Sequence, residues 1–186
     1  MALGTLTGRV PVWLLDLDGV VNAASRTFPT HAWPKQTWQG IEAEDEEGIT
    51  WPIKAARPVI DFIKEVHGAG RAEIRWHSTW QGYAVHVGRQ LGLPDFGVQE
   101  APEYKDSDAE HWWKAPGARR VLAEEGRDLL WTDDDADEWL GRQERTELAS
   151  LGHRLLIVCP DSRTGLCKKH LKRITQFLGD PVAEGR

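Results

Sequence analysis

The stretch VWLLDLDGVVN, Val12 to Asn22, joins a short apolar run to two closely spaced carboxylates. The continuous Val, Trp and Leu character of Val12 to Leu17 predicts a buried strand. Asp16 and Asp18 sit at its end, with Gly19 directly behind them. Aspartate is a poor strand former, and two negative charges beside a buried segment repel each other. Residues two apart in an extended chain face the same side, so this pair can converge on one point. Two ionised carboxylates so close need a compensating cation or a shared proton.

Outward from this strand the chain alternates between strand and helix patterns. Asn22 to Pro58 is polar, rich in Trp and Pro, and carries the acidic run EAEDEE (Glu42 to Glu47), which reads as a solvated hairpin tip or loop. Pro58 to His67 predicts a helix, with Pro at its start, apolar Val59, Ile60, Ile63 and Val66, and Gly68 at its end. Ala72 to Ser78 (AEIRWHS) is a second strand, and Tyr83 to Leu91 a helix broken by Gly92 and Pro94. Asp95 to His111 is weakly patterned. Ala118 to Glu125 is helical up to Gly126. The strand Asp128 to Thr132 then runs into DDDADE, followed by a helix over Arg142 to Leu151, a strand over His153 to Cys159 and a basic helix from Gly165 to Leu178. Such alternation predicts an open, mainly parallel α/β sheet.

In sheets of this kind ligands bind beyond the carboxyl ends of the strands. Three strand ends here carry polar residues: DLD, HSTW and TDDD. Asp16, Asp18 and the run Asp133 to Asp135 offer only oxygen ligands, the donor set that Mg²⁺ prefers. A Mg²⁺ ion beside aspartates suits phosphate chemistry. A carboxylate is a competent nucleophile toward phosphorus, and a second can protonate the leaving oxygen and then activate water. Ser78 or Thr79 supplies a hydroxyl for the phosphoryl oxygens, and Lys114 can supply the cation.

The remaining composition bounds this reading. The chain has 186 residues, enough for one domain with a small insertion at about 22–57. A formal net charge of -6 argues mildly against a general nucleic-acid binder. Cys159 and Cys167 are the only cysteines, so no four-cysteine zinc site forms. The seven histidines are scattered without ligand spacing. The run Val10 to Leu15 is too short for a signal peptide and no apolar stretch approaches a membrane span, so the expected location is cytoplasmic. Of the ten tryptophans most are expected in the core, while Trp33, Trp38 and Trp51 either line a site entrance or bury one face of a hairpin. Lys168, Lys169, Lys172 and Arg173 form either a polyanion contact or the solvated face of an amphipathic helix, and the second is preferred.

These residues, taken in order, resemble the haloacid dehalogenase-like (HAD) superfamily of phosphatases and phosphotransferases. DLDGV resembles its first motif, which implies Asp16 as nucleophile, Asp18 as general acid/base, and Gly19 turning the chain over the phosphate. The strand ending in HS resembles the second motif, implying Ser78 as the phosphate-binding hydroxyl, with Thr79 the alternative. Lys114 resembles the third, with Lys105 the alternative. WTDDDAD resembles the fourth, implying Asp133 as metal ligand with Asp134 or Asp137 as its acidic companion. The resemblance further implies a metal shell that includes Asp16 and the backbone carbonyl of Asp18. It also implies a three-layer Rossmann-like sandwich with only a small cap insertion. WHSTW, WTDDD and DSRTGL (Asp161 to Leu166) are similar to the compact subgroup associated with Swiss Army Knife RNA repair proteins, which implies a polynucleotide end as substrate. Retention of Asp18 favours phosphate-ester cleavage over dehalogenation, because only an oxygen leaving group needs an acid. A small-molecule or nucleotide phosphatase, and a non-catalytic phosphate- or nucleic-acid-binding module, are the alternatives.

Overall fold

In this computed structural model, the described residues are 9–105 and 112–179. The N-terminal residues 1–8 and the end of the weakly patterned stretch, 106–111, lie outside them. The quoted run forms β1, Val12–Leu15, with all four residues buried. Next come β2 (Trp38–Glu44), β3 (Thr50–Ala56), α1 (Arg57–Gly68), β4 (Glu73–Trp76), α2 (Tyr83–Gln90) and β5 (Gly97–Val98). The second half holds α3 (Ala115–Arg119), β6 (Leu129–Thr132), α4 (Ala136–Trp139), α5 (Arg142–Ala149), β7 (Leu155–Val158) and α6 (Lys168–Leu178).

β1 is the middle of a five-stranded sheet ordered β5-β4-β1-β6-β7, and every pairing in it is parallel. Val12 lies opposite Glu73 on one side and Leu129 on the other. A central parallel strand is covered on both faces, which is why its sequence is apolar throughout instead of alternating. Trp13 and Leu15 enter one hydrophobic cluster with Ile74, Trp76 and residues of α1, α2 and α6. Val12 and Leu14 enter the other, with Trp131 and residues of α3, α4 and α5. The architecture is α/β and Rossmann-like. The chain leaves β1 toward β4 and β5, then returns to β6 and β7 on the other side. Strand order therefore reverses beside β1, where open α/β sheets form their ligand crevice.

The Asn22 to Pro58 insert is a separate antiparallel hairpin, β2 against β3, with Trp38 opposite Ala56 and Glu44 opposite Thr50. Its tip is the acidic run, closed by the Asp45 carboxylate, which accepts the Glu47 and Ile49 N–H groups at 2.9 Å each. Ile53, Ala55 and Ala56 are buried and fix the hairpin to the core. Pro58 sits in the first turn of α1, where its missing N–H costs no bond, and Val59, Ile60, Ile63 and Val66 face inward. α6 buries Ile174 and packs Leu171, Phe177 and Leu178 on the core, leaving Lys168, Lys169, Lys172 and Arg173 exposed. Trp13, Trp33, Trp38, Trp76, Trp80 and Trp131 are buried, so the core reading holds for most tryptophans.

Some boundaries differ from those expected. The helix expected over Ala118 to Glu125 starts at Ala115, since Pro116 is well tolerated in a first turn, and continues as a π-helical turn over Arg120–Glu124. β5 and α4, of two and four residues, are too short for periodicity to reveal. No helix among the described residues is long and apolar enough to cross a membrane.

Candidate active site

At the carboxyl ends of β1 and β6 the backbone pairing runs on for one residue: the Asp16 N–H donates to Thr132 O at 3.1 Å. This extension brings Asp16 and Asp133 alongside each other. Lys114, in the turn before α3, reaches both. Its Nζ donates to Asp16 Oδ2 at 2.5 Å and to Asp133 Oδ2 at 2.6 Å. All three residues are buried, and the ammonium also lies 5.6 and 5.4 Å from the ring centres of Trp112 and Trp113. The remaining oxygens are held by backbone: Leu17 N–H on Asp16 at 2.7 Å and Asp135 N–H on Asp133 at 3.1 Å. Asp134 completes the group, with carboxylate oxygens of Asp16, Asp133 and Asp134 all within 4.8 Å of one another. Asp137 is elsewhere, exposed and paired with Arg145 at 2.6 Å, so Asp134 is the companion that the geometry selects.

The charges in this cluster do not balance. Three carboxylates face one ammonium, which would leave two negative charges in the site with all three ionised. Burial and the neighbouring Asp16 charge push Asp133 up to about 8, and burial followed by Asp16 and Asp135 pushes Asp134 up to about 7. Burial by itself would lower the Lys114 pKa, but Asp16 and Asp133 outweigh it and raise it. A divalent cation would cancel the two excess charges, and an all-oxygen donor set suits a hard ion such as Mg²⁺. The residues present therefore fit a metal of that type.

Gly19 has a steric role in the cluster. Its φ is +68°, a conformation that strains other residues, and a Cβ there would overlap the Asp134 carboxylate. It makes room for the third carboxylate. Asp18 stands apart from that carboxylate group. Its Oδ2 accepts the Trp80 Nε1–H at 2.7 Å and its Oδ1 accepts the Asn22 amide at 2.6 Å. Asn22 in turn accepts the Lys54 backbone N–H at 2.8 Å, which ties Asp18 to strand β3 of the hairpin.

β4 supplies the third polar strand end. Ser78 is buried and its hydroxyl accepts the Trp80 N–H at 3.4 Å, whereas Thr79 is exposed. His77 is buried, and its Nε2 lies 2.9 Å from the Lys114 carbonyl, which can only accept, so Nε2 carries the proton. Burial lowers His77 to about 4, so the ring is neutral and braces the lysine turn. The DSRTGL segment docks on the loop after β1: Leu166 N–H donates to Val20 O at 2.9 Å and Ala24 N–H to Ser162 O at 2.8 Å. Gly165, with φ +65°, lets that close approach occur. Lys105 has no described side chain, while Lys114 occupies the cluster directly.

Beside Asp18 opens a cavity of about 810 Å³, a volume usual for small-molecule sites. Its walls include Asn22, Arg26, Asp45, Trp51, Lys54, Thr79, Trp80 and Tyr104. Asp18 lines this cavity, two residues along the chain from Asp16 of the buried cluster, whereas Asp16, Lys114, Asp133 and Asp134 do not line it. No protein-family model matches the chain, nor does any curated protein or solved structure.

The residues that sequence reasoning missed here are Asn22, Trp80, Arg26 and Lys54. Asn22 ends the quoted stretch and carries a local signal, four residues after Asp18. Trp80 lies 62 positions from the carboxylate it holds, and that pairing leaves no mark on the local pattern.

Proposed function

We propose that the chain is a HAD-superfamily phosphatase that hydrolyses a phosphate monoester through an Asp16 phosphoryl intermediate. The observation that carries this reading is Lys114 bridging Asp16 and Asp133 beside Asp134, at the ends of the central strands. The parallel sheet between two apolar clusters agrees with the superfamily's three-layer sandwich, and the hairpin with a small cap.

In this mechanism Asp16, Asp133 and Asp134 would hold a Mg²⁺ ion, with the Asp18 backbone carbonyl as a further oxygen donor. Such an ion would supply positive charge to offset that of the nucleophile and the phosphoryl oxygens. Asp16 attacks phosphorus and forms an O–P bond while the ester P–O bond breaks. Asp18 delivers a proton to the departing alkoxide, so the product leaves as an alcohol. Asp18 then takes a proton from water, which attacks phosphorus and releases Asp16 and inorganic phosphate. Lys114 and the Ser78 hydroxyl hold the equatorial oxygens, whose charge grows in the transition state. Trp80 and Asn22 each donate to one Asp18 oxygen and so aim the carboxylate.

The test is turnover of 4-nitrophenyl phosphate with Mg²⁺, before and after thorough chelation. Hydrolysis that is lost on chelation and restored by Mg²⁺ is the expected result. Activity indifferent to chelation removes the metal role, and stoichiometric phosphate binding without turnover replaces the enzyme by a binding module.

A further inference from the structure

Trp51 is an unusual surface residue. The residue is 48% exposed and lines the cavity beside Asp18. Exposure of a large ring costs hydrophobic free energy, and a mobile ring would gain entropy in return. This ring is held. Its Nε1–H donates to Asp45 Oδ2 at 2.7 Å, and Asp45 is fixed by the Glu47 and Ile49 N–H groups. Those three donors hold the Asp45 carboxyl below its ordinary pKa, the Trp51 bond foremost. Neither another aromatic ring nor a cation meets the Trp51 faces among the described residues. A rigid, bare indole on a cavity wall is a platform prepared for a flat partner.

Two cations line the same cavity. Arg26 and Lys54 form no ion pair among the described residues. The acids on that wall are otherwise engaged: Asp45 by its three donors, Asp18 by Trp80 and Asn22. These neutral donors occupy the carboxylate oxygens without cancelling their charge, so the wall holds two acids and two bases, and the donors left open to an anion are Arg26 and Lys54. Lys54 also follows Trp51 closely on β3, and its backbone N–H is the group that Asn22 uses to tie the hairpin to Asp18. Platform, cations and acid belong to one connected piece of structure.

We infer that this cavity binds the alcohol portion of the substrate, and that this portion carries a flat ring and a second anionic group. The ring stacks on Trp51, and the extra anion meets Lys54 and Arg26. The inference rests on the phosphatase reading for the placement of the ester at Asp18, and on the cavity for everything beyond it. Free nucleotides and the ends of a nucleic-acid strand share this chemistry.

The test uses adenosine 3′,5′-bisphosphate, adenosine 5′-phosphate and glycerol 3-phosphate as probes. Turnover is read on the unaltered protein with Mg²⁺. Binding is read by calorimetry on the Asp16→Asn protein, where reaction is blocked. The expected order of kcat/KM and of affinity is bisphosphate, then monophosphate, then the ringless ester. Trp51→Ala should cut the ratio of adenosine 5′-phosphate to glycerol 3-phosphate by roughly tenfold, with Trp51→Phe keeping most of it. Lys54→Ala with Arg26→Ala should abolish the preference for the second phosphate and flatten its salt dependence. A ratio unmoved by Trp51→Ala overturns the platform, and a bisphosphate preference that survives loss of both cations overturns the anion contact. Ring-dependent binding without hydrolysis of any probe sinks the phosphatase reading and keeps the site; equal hydrolysis of all three does the reverse. A terminally phosphorylated oligonucleotide run alongside tells a strand end from a free nucleotide.

Discussion

The acidic tip of the hairpin and the acidic end of β6 place the same side chains in opposite surroundings. At the tip, Glu42, Glu44, Glu46 and Glu47 point into water, and Asp45 is stabilised as an anion by its own turn and Trp51. At the end of β6, Asp133 is completely buried and Asp134 partly so, and each is pushed toward its protonated form by burial and by Asp16. In the first run the acids solvate a loop; in the second they crowd a site where ionisation is costly. A cluster that costs stability in the absence of a partner is kept where a ligand can repay it.

Substitutions in the two regions should differ accordingly. The largest effect belongs to Asp16→Asn, expected to lower turnover of an aryl phosphate by roughly 10³-fold or more while the circular dichroism spectrum stays native. Substantial residual turnover would remove Asp16 as nucleophile. Next is Lys114→Ala, which leaves two buried carboxylates and the partly buried Asp134 with no internal cation. In metal-free buffer it should cost about 3–5 kcal/mol in denaturant unfolding, and Mg²⁺ should recover part of that. A neutral result would mean that the cluster is better solvated than its burial implies.

The histidine contribution to the pH response is smaller and has a defined sign, opposite to that of Asp133 and Asp134, whose raised values favour folding as pH falls. Burial lowers His77 to about 4 and, with Lys169 and Arg173, His170 to about 4, against 6.5 for an ordinary histidine. Between those values the unfolded chain binds protons that the folded chain refuses. Stability from both is full above pH about 6.5 and is lost as pH falls toward 4, at up to about 1.4 kcal/mol per pH unit for the buried His77. His77→Gln should make the acid limb of the stability profile shallower. Smallest of all is Asp45→Ala: it should barely move the melting temperature, yet free the Trp51 ring, read as a change in tryptophan emission. A large loss of stability there would erase the contrast between the two acidic runs.

Much of this arrangement was legible beforehand. The apolar run of β1, the amphipathic helices α1 and α6 and the three polar strand ends follow from local patterns that burial imposes directly on sequence. Asp16, Asp133 and Lys114 were each marked by position at an element boundary. What local pattern did not carry was relation. It left Asp134 and Asp137 equivalent, although one faces Asp16 and the other pairs with Arg145 on α5. It gave no sign that Asp134 comes so close to Gly19 that a side chain there would overlap its carboxylate.

The sequence by itself determined the alternation of strands and helices, the central strand with its two aspartates, and the chemical character of each strand end. These are properties of short segments, fixed by periodicity and residue type. Only the tertiary structure decided that the ends of β1 and β6 lie side by side, that Trp80 and Asn22 claim Asp18, and that the hairpin holds a bare Trp51 over the cavity. Such contacts join residues far apart in the chain. Their energy depends on distance and burial, which no local stretch of sequence records.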